Sequence, residues 1–210
     1  MDESFIYTIK NNLPSDICKA IIKKFESHPE QWDDGAVGEN PINKEWKDSK
    51  EIGITSNLET WGKAYEKMTF FLKRGLHEYI EEYTKFLHKK IGVYGDTKFV
   101  THFSIGNNNT LGELAIQRIR KGSRYRWHSD NCSRHPSRIL TFMWYLNTLE
   151  EDEGGKTAFI DGRKVRPEEG KLIFFPAAWT ALHCGELIKA EYKYLLVGTV
   201  DKLCDKEFKE

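Results

Sequence analysis

Ile139-Leu140-Thr141-Phe142-Met143-Trp144-Tyr145-Leu146 is the stretch on which the fold turns. Side chains alternate across a β-strand, so residues two apart share a face. Leu140, Phe142, Trp144 and Leu146 form one face, apolar throughout and suited to packing under helices. Thr141, Met143 and Tyr145 form the other, a moderately polar face suited to a barrel interior, with the Tyr145 hydroxyl able to bond a carboxylate.

Further short β-rich runs lie around this strand, at 98–104, 114–120, 125–130, 156–159, 171–175 and 192–200. Turn signals separate them, among them Gly106-Asn107-Asn108-Asn109, Gly154-Gly155 and Asp161-Gly162. Closely spaced short strands predict an all-β barrel or sandwich. The first half of the chain has a helical pattern instead. Ser15 is expected to cap a helix carrying Ile17, Ile21 and Phe25 at helical spacing. A second helical region runs from about Ser56 to Lys90 with a broad face from Leu58 and Trp61 to Tyr83 and Leu87. Gly75 is expected to divide it, and Gly92 to end it. The fold class is mainly β with N-terminal helices that buttress one face of the sheet. Residues 1–97 form the helical support region and residues 98–205 the β core, together one integrated domain.

Lys plus Arg and Asp plus Glu both total 32, so no global field draws the chain to nucleic acid or to an anionic membrane. The start, Met1-Asp2-Glu3-Ser4, is acidic and lacks an apolar run, so a secretory signal is not expected. No apolar run approaches membrane-spanning length. Cys18, Cys132, Cys184 and Cys204 are scattered, without a CxxC pair, which reads as free thiols in a reducing, cytoplasmic compartment.

The chemistry centres on Tyr125-Arg126-Trp127-His128-Ser129-Asp130-Asn131. On a strand, His128 and Asp130 project together. Redox-active iron commonly takes two histidines and one carboxylate, leaving the opposite positions open. Of seven histidines, His28, His77 and His88 fall on or beside helices and His135 lies in a polar loop close by. His183, in Trp179-Thr180-Ala181-Leu182-His183-Cys184-Gly185, is the best third ligand. Lys193 stands ten residues after it and shares a face with Leu195 and Val197. A lysine on an apolar face needs an anionic partner, and a dicarboxylate cosubstrate reaching from the iron meets that need.

HxD, a distal His and a Lys ten residues on resemble the Fe(II)/2-oxoglutarate dioxygenases, specifically the prolyl 4-hydroxylase-like branch. The resemblance covers roughly residues 98–201 and extends to Gly122, Tyr125, Trp144-Tyr145-Leu146-Asn147, Glu153-Gly154-Gly155-Lys156-Thr157, and Pro167 to Gly170 leading into Leu172-Ile173-Phe174-Phe175-Pro176. His128-Ser129-Asp130-Asn131 and Arg138 are similar to the hypoxia-sensing prolyl hydroxylases, whereas the distal His-to-Lys segment is more like the collagen-type enzymes.

The resemblance implies a double-stranded β-helix (jelly-roll, cupin-like) that holds one Fe(II) on His128, Asp130 and His183. It implies 2-oxoglutarate chelating the iron, with Lys193 and Tyr145 at its far carboxylate, and Tyr125 and Arg138 near the substrate. It further implies O2 as oxidant, ascorbate as a reductant, and C–H hydroxylation coupled to formation of succinate and CO2. Related halogenases lack the carboxylate that Asp130 supplies, so hydroxylation is the expected outcome. Two positions depart from the family pattern: Ile119 stands where a tyrosine is frequent nine residues before the iron histidine, and Thr199 where a tryptophan is common.

The expected substrate is a prolyl residue in a peptide or protein. The alternatives are the same chemistry on a free amino acid or small metabolite, and a cupin-like module that binds metal or ligand without oxidation. The basic run Arg118-Ile119-Arg120-Lys121-Gly122-Ser123-Arg124-Tyr125-Arg126 reads as a solvated strand face and turn rather than a nucleic-acid groove. Cys184 beside His183 does not make a zinc site, because strand neighbours face opposite ways and structural zinc usually takes more thiolates.

Overall fold

Two β-sheets face each other, and both helices cover the outer face of the larger one. The computed structural model describes residues 1–36, 42–91, 109–132 and 135–202. Among these, twelve strands run β1 (Tyr7–Ile9), β2 (Asp33–Asp34), β3 (Ser49–Gly53), β4 (Asn109–Leu111), β5 (Ala115–Arg120), β6 (Tyr125–His128), β7 (Arg138–Tyr145), β8 (Thr157–Phe159), β9 (Lys164–Val165), β10 (Leu172–Pro176), β11 (His183–Gly185) and β12 (Tyr192–Lys202). The helices are α1 (Ser15–Glu26) and α2 (Leu58–Ile91). The expected strand at 98–104 and the cap at Gly92 lie outside the described residues.

The larger sheet has the order β1-β10-β7-β12-β5-β3-β2, with β4 also paired to β12, and the smaller has β6-β11-β8-β9. Every pairing is antiparallel. Strand β7 lies inside the larger sheet and behaves as its alternation predicts. Leu140, Phe142 and Trp144 join the core shared with Phe25, Trp61, Met68, Leu72, Leu76 and Tyr79 of the helices. Met143 and Tyr145 join a second cluster, with Phe159, Phe175 and Leu195, between the sheets. The two faces of one strand thus serve two cores. Cutting back a fully buried residue such as Trp144 would cost about 3–5 kcal/mol.

The N-terminal half supplies more than helices: β1 flanks β10, and β3 flanks β5. These strands are short, three and five residues, so neither carries a sustained alternation. Ser15 does not cap α1. Pro14 holds that position in extended conformation, and its carbonyl accepts the N–H groups of Ile17 and Cys18. Cys18, Ile21 and Phe25 are the buried stripe, with Ile17 at its margin. Gly75 does not divide α2, which runs unbroken for 34 residues. A Cβ there would stand 2.5 Å from Leu172 Cδ2 and 3.1 Å from Asn12 Nδ2, so the glycine permits close approach of helix to sheet.

Candidate metal centre and cosubstrate pocket

His128 ends strand β6, and His183 opens its neighbour β11; the two are register partners. Each Nδ1 lies against a backbone carbonyl, His128 at 2.7 Å from Arg126 O and His183 at 3.1 Å from Ala181 O. A carbonyl only accepts, so both Nδ1 atoms donate, and in the neutral tautomer that this fixes Nε2 is the free ligand atom. The two Nε2 atoms converge on Asp130, with His128 Nε2 at 3.6 Å from Oδ1 and His183 Nε2 at 3.8 Å from Oδ2. The three residues offer ligand atoms within 4.8 Å of one another, and they form the only such group of His, Cys, Asp or Glu among the described residues.

Asp130 reaches this position by a different route from simple strand alternation. Strand β6 stops at His128. The next residues turn off, and the N–H groups of Asp130 and Asn131 both donate to Ala177 O, just past β10. The Asn131 amide donates to the carbonyls of Pro136 and Arg138, which ties down the loop behind it. The Thr141 hydroxyl donates to Asp130 Oδ2 at 2.6 Å, and Arg138 Nη1 donates to the Asp130 carbonyl at 3.1 Å. Burial, followed by the nearby His183, lowers the His128 pKa to about 4, so the ring is a neutral donor over the physiological range. Two imidazoles and one carboxyl group beside an open cavity match the donor set that non-haem Fe(II) takes.

That space is a cavity of about 400 Å³ between the sheets. Its floor is the inner face of the larger sheet: Gln117 and Ile119 of β5, Lys193, Leu195, Val197 and Thr199 of β12, and Thr141 and Met143 of β7. Lys193 is only 2% exposed, and its ammonium donates to Gly155 O at 2.6 Å. Burial lowers its pKa to about 7, because no carboxylate lies within salt-bridge reach among the described residues. Gly154 and Gly155 shape this corner. Both have positive φ, and a Cβ on Gly154 would collide with Leu187 O at 2.2 Å.

Tyr145 is fully buried beside Lys193, whose Nζ is 5.3 Å from the ring centroid. Its hydroxyl donates to Thr157 Oγ1 at 2.7 Å, and Thr157 lines the cavity. Tyr125 stacks on the His128 imidazole with centroids 3.7 Å apart, and Arg138 lines the cavity beside Asp130. Ile119 faces Lys193 across the β5–β12 pairing, and Thr199 faces Thr141. All seven residues singled out from the sequence therefore gather at this cavity or directly against it. Sequence reasoning missed Thr157, Gln117, Lys47 and Glu51 as parts of the wall. The Thr141 contact was signalled only by its parity with Met143 and Tyr145. In the basic run, Arg118 is bound to Glu26, Arg120 to Asp48 and Arg126 to the Glu45 carbonyl, which leaves little of it for a partner.

The profile of the 2OG-Fe(II) oxygenase superfamily matches residues 114–199. A PKHD-type hydroxylase of Synechococcus sp. (strain CC9902) is 34% identical over 92 residues, 42% of this chain and 40% of that protein; the chain thus matches about two fifths of that relative's length. Among solved structures, a Trichoplax adhaerens prolyl hydroxylase in complex with a hypoxia-inducible factor peptide gives a TM-score of 0.71 at 15% identity, covering 95% of this chain and 84% of that one. The viral collagen prolyl hydroxylase of Paramecium bursaria Chlorella virus-1 gives 0.63 at 19% identity, with 96% and 98% covered. A Pseudomonas putida prolyl-4-hydroxylase gives 0.64 at 14% identity, with 94% and 92% covered. At these identities the likeness is one of fold, the double-stranded β-helix shared by such oxygenases. The span that matches the 2OG-Fe(II) oxygenase profile, residues 114–199, is the one that carries His128, Asp130, His183 and Lys193.

Proposed function

We propose that the protein is an Fe(II)- and 2-oxoglutarate-dependent hydroxylase acting on a prolyl residue of a peptide or protein. The observation that carries this reading is the pairing of two features across one cavity: two imidazole Nε2 atoms converging with a carboxylate, and a buried lysine amine whose hydrogen-bond partner is a backbone carbonyl and which makes no salt bridge among the described residues. In this reading His128, Asp130 and His183 hold the metal. Lys193 takes the far carboxylate of the cosubstrate, and Tyr145 supports that end through the Thr157 hydroxyl. When bound, the iron and keto acid supply oxidative decarboxylation to succinate and CO2 together with the oxidant for C–H hydroxylation. The chain's own part is to fix both imidazole tautomers, to orient Asp130 through Thr141, and to wall the pocket with Leu195, Met143 and Phe175. Tyr125 and Arg138 lie on the metal side and would meet the substrate. Residues 1–97 and 98–205 act as one catalytic unit, since their strands and helices share a core.

Among the described residues no helix is long and apolar enough to cross a membrane, and Cys18, Cys132 and Cys184 are free thiols, which suits a reducing, cytoplasmic setting. Peptide-substrate prolyl hydroxylases among the structural relatives favour a peptide or protein partner. A free amino acid or small metabolite is the second reading, favoured by the charged wall of Lys47 and Glu51 and by Thr199 where the family often carries a tryptophan.

The test is incubation with Fe(II), 2-oxoglutarate, ascorbate and a panel of proline-rich peptides beside free amino acids. Gain of one oxygen by mass, with matching succinate, is expected on a peptide and is lost in His183→Ala. Metal binding without succinate under any condition would leave only a binding module.

A further inference from the structure

Strand β6, which carries His128, is the edge of the smaller sheet, with β11 on one side only. Its other side is taken by residues 45–47, shortly before β3 of the larger sheet. Lys47 bridges antiparallel to Tyr125. The Arg126 N–H donates to Trp46 O at 3.1 Å, and its Nε donates to Glu45 O at 3.2 Å. Contacts of this kind alone would be ordinary strand pairing.

The Lys47 side chain does something else. It is 7% exposed and lines the cavity, with its ammonium 5.1 Å from the Tyr125 ring centroid. The Tyr125 ring is in turn stacked on the His128 imidazole, 25° from parallel. Glu51 Oε1 holds the ammonium at 2.6 Å and also accepts the Ser49 hydroxyl at 2.5 Å, which anchors the pair to β3. The Cβ–Cγ bond and the hydrogen bond from Nδ1 set the plane of the His128 ring, and the Tyr125 ring lies against one face of it. A stacked ring held in turn by a cation backs that face and resists tilting of the imidazole out of this plane.

We propose that Lys47 is a positioning residue for the metal centre: through Tyr125 it holds the His128 imidazole at the angle that points Nε2 toward Asp130 and His183. The inference rests on reading that trio as a metal centre. Its logic explains why a lysine is buried on the metal side of the cavity with its charge already neutralised by Glu51, since a neutralised ammonium serves orientation rather than capture of an anion.

The test is a Co(II) titration of the metal-free full chain, followed by visible absorption. The variants are His183→Ala, Lys47→Arg, and the double variant Lys47→Met/Glu51→Gln, which removes both charges together and strands neither. The double variant should bind Co(II) about tenfold or more weakly, with an altered ligand-field band, and Lys47→Arg should recover part of both. A merely structural role would lower the melting temperature of the metal-free protein and leave affinity and band as in the wild type; that result overturns the proposal. Should the double variant fail to fold, Tyr125→Leu removes the ring between Lys47 and His128 and carries the same two outcomes. Absence of any His183-dependent band in the wild type would sink the metal-centre reading itself, and this inference with it.

Discussion

At the scale of single residues, the site depends on small, directional contacts. Thr141 gives Asp130 Oδ2 a hydrogen bond from a hydroxyl with no other task. Thr141→Val keeps the shape and removes that donor, so metal affinity should fall about tenfold while the melting temperature changes little; equal affinity in a metal titration would show that Asp130 needs no such support. Lys193 gives a pH prediction with a definite sign. Its pKa is lowered to about 7, and a bound dicarboxylate favours the charged form. Affinity for 2-oxoglutarate, measured by calorimetry with Mn(II) in place of iron, should therefore weaken about tenfold from pH 6.5 to 8.5. In Lys193→Met it should be weaker throughout and flat with pH. The same shift bears on folding. Between about 7 and the ordinary lysine value, the unfolded chain binds a proton that the folded chain refuses, so this group makes the ligand-free protein more stable as pH rises through that window. His128, Asp130, His183 and Lys193 were legible in the sequence because such residues at that spacing are rare in a β-rich segment. Lys47 and Glu51 were not, because a Lys–Glu pair in a polar segment looks like solvated surface until β3 pairs with β5 and turns it inward.

At the scale of elements, strand periodicity was informative wherever a strand is covered on both sides. β7 and β12 each show two distinct faces in the sequence, and the structure puts one face of each in the helix-side core and the other toward the cavity. Short strands such as β1 and β11 carry too few residues to show a period, so they became visible only through their partners. The end of β6 was misjudged for a related reason. Alternation would have carried the strand on to Asp130, but two N–H bonds to Ala177 O turn the chain away first. Gly75 was misread as a break because glycine weakens a helix, whereas here it is the point where α2 meets Leu172. Gly75→Val should therefore cost about 1–3 kcal/mol of stability through overpacking, read by denaturant melts, and leave metal affinity as it was. A stabilised variant would mean that the helix does not lie so close to β10.

At the scale of the whole molecule, the helices and the larger sheet share one core, the two sheets share another, and β7 contributes to both, so the chain should unfold as one unit. Far-ultraviolet circular dichroism and tryptophan fluorescence should give coincident denaturant transitions; two separated transitions would mean that the helical region is a separate folding unit. The architecture explains the division of labour. The larger sheet provides a rigid floor with the buried ammonium, and the smaller sheet brings both histidines over it. The claim on which everything else depends is that these two features hold one iron and one keto acid together. The most direct measurement is an anaerobic titration of the metal-free protein with Fe(II) and then 2-oxoglutarate, watched for a weak visible charge-transfer band. The account predicts a band in the wild type that is absent in His183→Ala and needs more 2-oxoglutarate in Lys193→Ala. Iron binding with no band on adding the keto acid would contradict it.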